Sequence, residues 1–133
     1  MSQNIHGDTT YAPPAPTALT PDEERTWATL THAGVGAATV LSAGTLGFFA
    51  ALGVYLLHRD RGPFIRHNAA NAMNIQLNML MWAAISVVLM LVLVGFVLLA
   101  AVPIVGVVLH VVAAVKAGRG EWWNPPMTIR FIR

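Results

Sequence analysis

Residues 66 to 115 read RHNAANAMNIQLNMLMWAAISVVLMLVLVGFVLLAAVPIVGVVLHVVAAV, and the way this stretch divides decides the fold. After Arg66 it holds no Asp, Glu, Lys or Arg. Its first part carries Asn68, Asn71, Asn74, Gln76 and Asn78, and from Met79 to Val115 there follow 37 uncharged residues. Uncharged apolar runs of eighteen or more residues mark membrane-spanning helices. As one helix this run would extend about 55 Å, against roughly 30 Å of hydrocarbon, so it is expected to fold back. The turn is expected between Leu99 and Gly106, where Pro103 and Gly106 weaken a helix.

Two spans of about 20 residues and a turn need more chain than this run supplies. The second helix is therefore expected to recruit residues upstream of Met79. At about 100° per residue, His67, Asn71, Asn74 and Asn78 share one stripe of the helix. Facing lipid, that stripe would leave donors and acceptors unpaired at a few kcal/mol each. It is expected to face another helix, a partner or a wet cleft.

The rest of the chain agrees with a membrane setting. Of 133 residues, 56% are hydrophobic and only 11% charged, with a mean hydropathy of +0.60. A soluble domain of this size needs more charge. Charge is also missing from Ala33 to Leu57. Ahead of that segment, Thr20-Pro21-Asp22-Glu23-Glu24 writes a helix start: Thr20 as N-cap, Pro21 at the first helical position, acids in the first turn, and a Thr20–Glu23 capping box. A long first helix is expected from there to Leu57, with Ala43, Gly47 and Ala51 forming a small-residue ridge for close packing. Residues 58 to 63, HRDRGP, end it.

The expected fold is all-α: an integral membrane protein with about three transmembrane helices, a long first helix and a tight hairpin of the second and third. Residues 1–20 read as a disordered tail, in which His6 and Asp8 are too few to make a metal site; no positive n-region precedes an apolar core, so they are not a signal peptide. Residues 21–118 read as the membrane domain and 119–133 as a cytoplasmic interfacial tail. There Trp122 and Trp123 suit an aromatic belt, and Ile129, Arg130, Phe131 and Arg133 suit anionic headgroups. Three spans put seven of the eight basic residues on one side, which the positive-inside rule makes cytoplasmic. The amino terminus is then expected outside and the carboxyl terminus inside.

Several function classes are disfavoured. The net charge is +2 and the pI about 9.7, but the basic residues flank apolar spans instead of forming a stripe, so no nucleic-acid partner is expected. With no cysteine there are no disulfides or thiolate sites. No carboxylate lies in a span and no Ser-His or Asp-His set is spaced for catalysis, so no enzyme activity, cofactor or metal is expected. His32 and His110, in or near spans, could ligate haem, but hydrogen bonding to backbone is the commoner use. Ser86 and Thr39 are expected to bond their own helix carbonyls.

Three stretches together carry a family resemblance: EERTWATLTHAG (23–34), HRDRGPFIRHNAANAMNIQLN (58–78) and KAGRGEWWNPPMTIRFIR (116–133). The chain resembles small bacterial membrane proteins of unknown function related to the twenty-kilodalton Tic component of the chloroplast import machinery. Trp27, His32, His67, Asn68, Asn74, Lys116, Ala117, Gly120, Glu121 and Pro126 fill the matching positions. Ala70 and Asn71 stand where those relatives often carry a Lys-Glu pair. The resemblance implies a helical protein of the bacterial plasma membrane. The expected function is that of a non-enzymatic accessory or assembly subunit packed against a larger membrane complex, or against copies of itself. The alternative is a transport or translocation component acting as an oligomer, with the amide stripe lining a wet path.

Overall fold

A computed structural model describes residues 16–133. The expected behaviour of residues 1–15, with His6 and Asp8, lies outside the described residues. Four α-helices and no strands are found among them: α1 (Pro21–Leu41), α2 (Thr45–His58), α3 (Pro63–Leu89) and α4 (Val94–Gly118), with one 3₁₀ turn at Met90–Val92.

Helix α1 starts as its residues dictate. The Thr20 hydroxyl accepts from the Glu23 N–H at 3.4 Å, and the Glu23 carboxylate accepts from the Thr20 N–H at 2.8 Å. It does not run on to Leu57. Ala43 and Gly44 take positive φ, at 51° and 100°, and the chain reverses. The Ser42 hydroxyl serves both ends of the break, donating to the Ala38 carbonyl at 2.6 Å and accepting from the Leu46 N–H at 2.8 Å. The single long first helix is thus two antiparallel helices. Trp27 near the start of α1 lies against His58 at the end of α2, ring centroids 4.8 Å apart. Ala43 sits in the turn, so the ridge expected of Ala43, Gly47 and Ala51 is broken; the buried Gly47 and Ala51 remain on α2.

Helix α3 begins at Pro63, within hydrogen-bonding reach of α1. The buried Glu24 carboxylate accepts from the N–H groups of Phe64 and Ile65 at 2.7 and 2.9 Å, supplying from a neighbouring helix the cap that Gly62 lacks. A Cβ at residue 62 would collide with that carboxylate.

The turn between α3 and α4 is Met90–Leu93, not the expected Leu99–Gly106. Leu93 takes φ 65°, and Gly95 lies so close to the Ser86 carbonyl and Met90 amide that no Cβ fits. Pro103 is inside α4. The earlier turn shares the chain between helices of 27 and 25 residues, each about 40 Å long.

Leu19 N–H bonds the Arg61 carbonyl at 2.8 Å, and a Cβ on Gly118 would lie 3.4 Å from Thr29. The start of α1, the α2–α3 loop and the end of α4 therefore share one end of the bundle. Residues 90–93 form the other, and the α1–α2 turn at residues 42–44 stops short of it, near the level of Gln76, which bonds Thr39. The described chain therefore enters and leaves the bundle at the same end, because the segment expected as one long first helix doubles back.

The interior is polar and the perimeter apolar. Thr31, His32, Thr39, Asn68, Asn71, Asn74, Gln76, Asn78, Ser86 and His110 are buried, while Phe49, Leu57 and Val97 are 66%, 70% and 72% exposed.

Candidate functional site: a polar seam and a clamped tail

Two polar constructions fill the bundle. The first joins α1, α3 and α4 at mid-height. The Thr39 hydroxyl donates to the Val35 carbonyl at 2.8 Å, so its oxygen is left to accept from the Gln76 amide nitrogen at 2.9 Å. The same nitrogen lies 3.0 Å from Nε2 of His110. An amide N–H pointing there makes His110 Nε2 the acceptor and, in a neutral imidazole, puts its proton on Nδ1. That N–H faces His32 Nδ1 at 3.3 Å, and the His32 proton then sits on Nε2. His32 Nε2 is buried with no partner, the one such side-chain atom among the described residues. Gly47 and Gly36 let the seam close: a Cβ on Gly47 would strike Thr39 and the Gln76 amide, and one on Gly36 would lie 3.2 Å from His110.

The second construction answers where the amide stripe of α3 finds its partners. It meets the chain's own tail. Asn78 donates to the Ile129 carbonyl at 2.8 Å and accepts from the Ile129 N–H at 3.0 Å. Asn74 does the same with Ile132, both at 2.8 Å. Asn71 donates to the Trp123 carbonyl at 2.7 Å, and His67 Nε2 lies 3.1 Å from the same oxygen. The tail climbs α3 as far as Asn78, turns through Pro125-Pro126-Met127, and comes back to Asn74. Ile132 packs on the cluster of Val35, Ala51, Ala72 and Met73.

The tail is therefore folded onto the bundle, not laid out on its own. Trp122, expected as an interfacial anchor, is exposed on one face and packs edge-on to Phe64 at 5.1 Å and on His67 at 4.9 Å. Trp123 contributes its carbonyl to Asn71. Lys116 and Glu121 form an ion pair at the base of the tail, with Arg119 3.9 Å from the same carboxylate. The Lys116 hydrogen bond holds the Glu121 carboxyl below the usual carboxylate range.

Ser86 and Thr39 do bond carbonyls four residues back on their own helices. His32 and His110 bond each other. Glu24 and Gln76 were passed over by the sequence reading. Glu24 looked like one more first-turn acid, and Gln76 falls on the opposite side of α3 from the stripe, with no periodic companion to flag it. No group of three or more His, Asp or Glu side chains is placed to hold a metal among the described residues.

Fold and site define an all-helical protein of two stacked helical hairpins, with a polar interior and a tail clamped by side-chain amides. The chain belongs to the magnetosome magnetite crystal formation protein family, whose model matches residues 23–132. That match overturns the resemblance to the Tic-related family, since the two cannot both name the same chain; the stretches that suggested it, at residues 23–34, 58–78 and 116–133, lie in the matched region. No curated protein and no solved structure matched the chain.

Proposed function

We propose that the chain is a non-enzymatic integral membrane protein that serves magnetite crystal formation in the magnetosome as an accessory or assembly subunit. The observation that carries the membrane part is the inverted distribution of polarity. Amides, imidazoles and hydroxyls are hydrogen-bonded inside, and Val, Leu and Phe side chains face outward on all four helices. In water such a perimeter would aggregate; in lipid it is the stable arrangement. Helices α3, with its 3₁₀ extension to Val92, and α4 are long and apolar enough to cross a bilayer. The α1–α2 hairpin completes the bundle beside them. Seven of the eight basic residues stand at one end, Arg130 being carried up α3 by the tail, and the positive-inside rule makes that end the cytoplasmic one.

The family name supports the link to magnetite formation. The accessory reading is favoured over transport because the interior polar groups bond each other across close helix contacts at Gly36 and Gly47, leaving them committed to structure. The outward apolar faces are what remains to meet a larger complex or further copies.

Two measurements test the proposal. Alkaline carbonate should leave the chain in the membrane fraction, and release into the supernatant would refute the membrane part. Deleting the gene in its own organism should change magnetite crystal size or number in electron micrographs, and affinity purification from native membranes should recover a stoichiometric partner. Unchanged crystals together with recovery of the chain alone would refute the accessory role.

A further inference from the structure

A cleft of about 250 Å³ opens at the charged end of the bundle, where the starts of α1 and α3 meet the residues that follow α4. Its walls include Pro21, Glu24 and Arg25 of α1, Phe64 of α3, and Gly120 and Trp122 of the tail. Pockets for drug-sized molecules run from roughly 300 to 1,000 Å³, so this one admits only a small ligand.

Two of the walls carry charge that the fold leaves open. Arg25 forms no ion pair among the described residues, because the acids near it are engaged elsewhere: Glu23 by Thr20, Glu121 by Lys116 and Arg119, Asp60 by Arg59. Its guanidinium lies against Gly120, where a Cβ would come within 3.1 Å of Nε and 3.2 Å of a terminal nitrogen, and Gly120 holds φ 72°. Tail and arginine are thus fitted to each other without a hydrogen-bond acceptor being supplied. Glu24 is only 8% exposed, and one of its carboxylate oxygens, Oε2, accepts both the Phe64 and Ile65 N–H groups. Its other oxygen has no hydrogen bond among the described residues. Trp122, 61% exposed, adds aromatic surface to the same cleft, which attracts a cation. A lone anion would meet the Glu24 carboxylate and a lone cation the Arg25 guanidinium. A small zwitterion satisfies both. A guanidinium fork suits a phosphate, and a carboxylate oxygen beside an indole suits an ammonium. We propose that the cleft binds a phosphoethanolamine group, its phosphate on Arg25 and its ammonium between Glu24 and Trp122.

That group occurs both free and as the headgroup of phosphatidylethanolamine; the lipid source rests on the membrane reading above, and the test separates the two. The full chain in detergent is titrated calorimetrically with phosphoethanolamine, and with inorganic phosphate and ethanolamine singly. In parallel it is placed in bilayer discs of equal phosphatidylethanolamine and phosphatidylglycerol, and native mass spectrometry reads the retained lipid. Binding of phosphoethanolamine assigns the free source, and a one-to-one phosphatidylethanolamine adduct assigns the lipid. Arg25→Gln, which leaves the Glu24 cap in place, is expected to weaken whichever is bound at least about tenfold. Glu24→Gln should bind the phosphate with no preference for the amine, and Arg59→Gln, at the same end but outside the cleft, should match the wild type. Carbonate extraction of each chain reports membrane insertion independently. Absence of both the heat and the adduct, binding undiminished in Arg25→Gln, or inorganic phosphate and phosphatidylglycerol held as well as their amine counterparts would each overturn the proposal.

Discussion

Asn74 and Asn78 each spend one carboxamide on both polar groups of a single tail residue, as a neighbouring β-strand would. The recognition is of backbone, so it holds an extended segment whatever its side chains. Removing the amide strands a tail N–H and C=O inside the fold, which costs about 1–3 kcal/mol per site. Asn74→Leu with Asn78→Leu is therefore expected to free the tail while leaving the helices intact, seen as rapid trypsin cleavage after Arg119 or Arg130 with unchanged helical circular dichroism. Tail cleavage as slow as in the wild type would contradict the clamp. Glu121 allows a test by pH. Its carboxyl is held low in the folded chain, so its ion pair with Lys116 contributes stability above the ordinary carboxylate pKa of about 4.3, and that contribution is lost as pH falls through the lower folded value. Glu121→Gln is expected to lower thermal stability at pH 6 and to converge with the wild type in strong acid. The stripe itself was legible from spacing alone, because residues four and three apart must share a helix face. Its partner was not, since nothing in the tail's sequence marks backbone groups that await a side-chain amide.

At the scale of elements, the break at Ser42-Ala43-Gly44 is the largest departure from the expected fold. Hydropathy runs through it without interruption, and Ser and Gly are common inside membrane helices, so composition could not separate a turn from a small-residue ridge. The hydrogen bonds of Ser42 and two left-handed residues make it a turn. Ala43 carries strain there that glycine would relieve: Ala43→Gly is expected to raise unfolding stability by up to about 1 kcal/mol, measured in detergent denaturation, against a loss if the segment were continuous helix. Pro103 misled in the opposite direction. It is the stronger breaker by propensity, yet in a lipid-facing bundle, packing and local adjustment re-satisfy the freed carbonyl, and proline stays inside the helix. The helix start at Thr20, in contrast, was readable because a capping box is a purely local device.

For the whole molecule, the described helices gather seven of the eight basic residues at one end, with Arg130 carried up α3 by the tail. The chain has no cysteine, so single cysteines report topology cleanly. Replacements at Thr17 and Arg133 are expected to react with an impermeant maleimide from the cytoplasmic face, and a replacement at Val92 from the other. Labelling of positions 17 and 133 from opposite faces would restore an odd number of crossings and sink the arrangement described here. Helical class, apolar perimeter, amide stripe and the first cap followed from the order of residues, because periodicity, missing charge and capping act over a few turns of one helix. How many helices there are, where two of them reverse, and that the amides hold the chain's own last residues were settled only in three dimensions. Those outcomes depend on contacts between residues as far apart as Asn74 and Ile132 or Glu24 and Phe64, whose energies a local pattern does not contain.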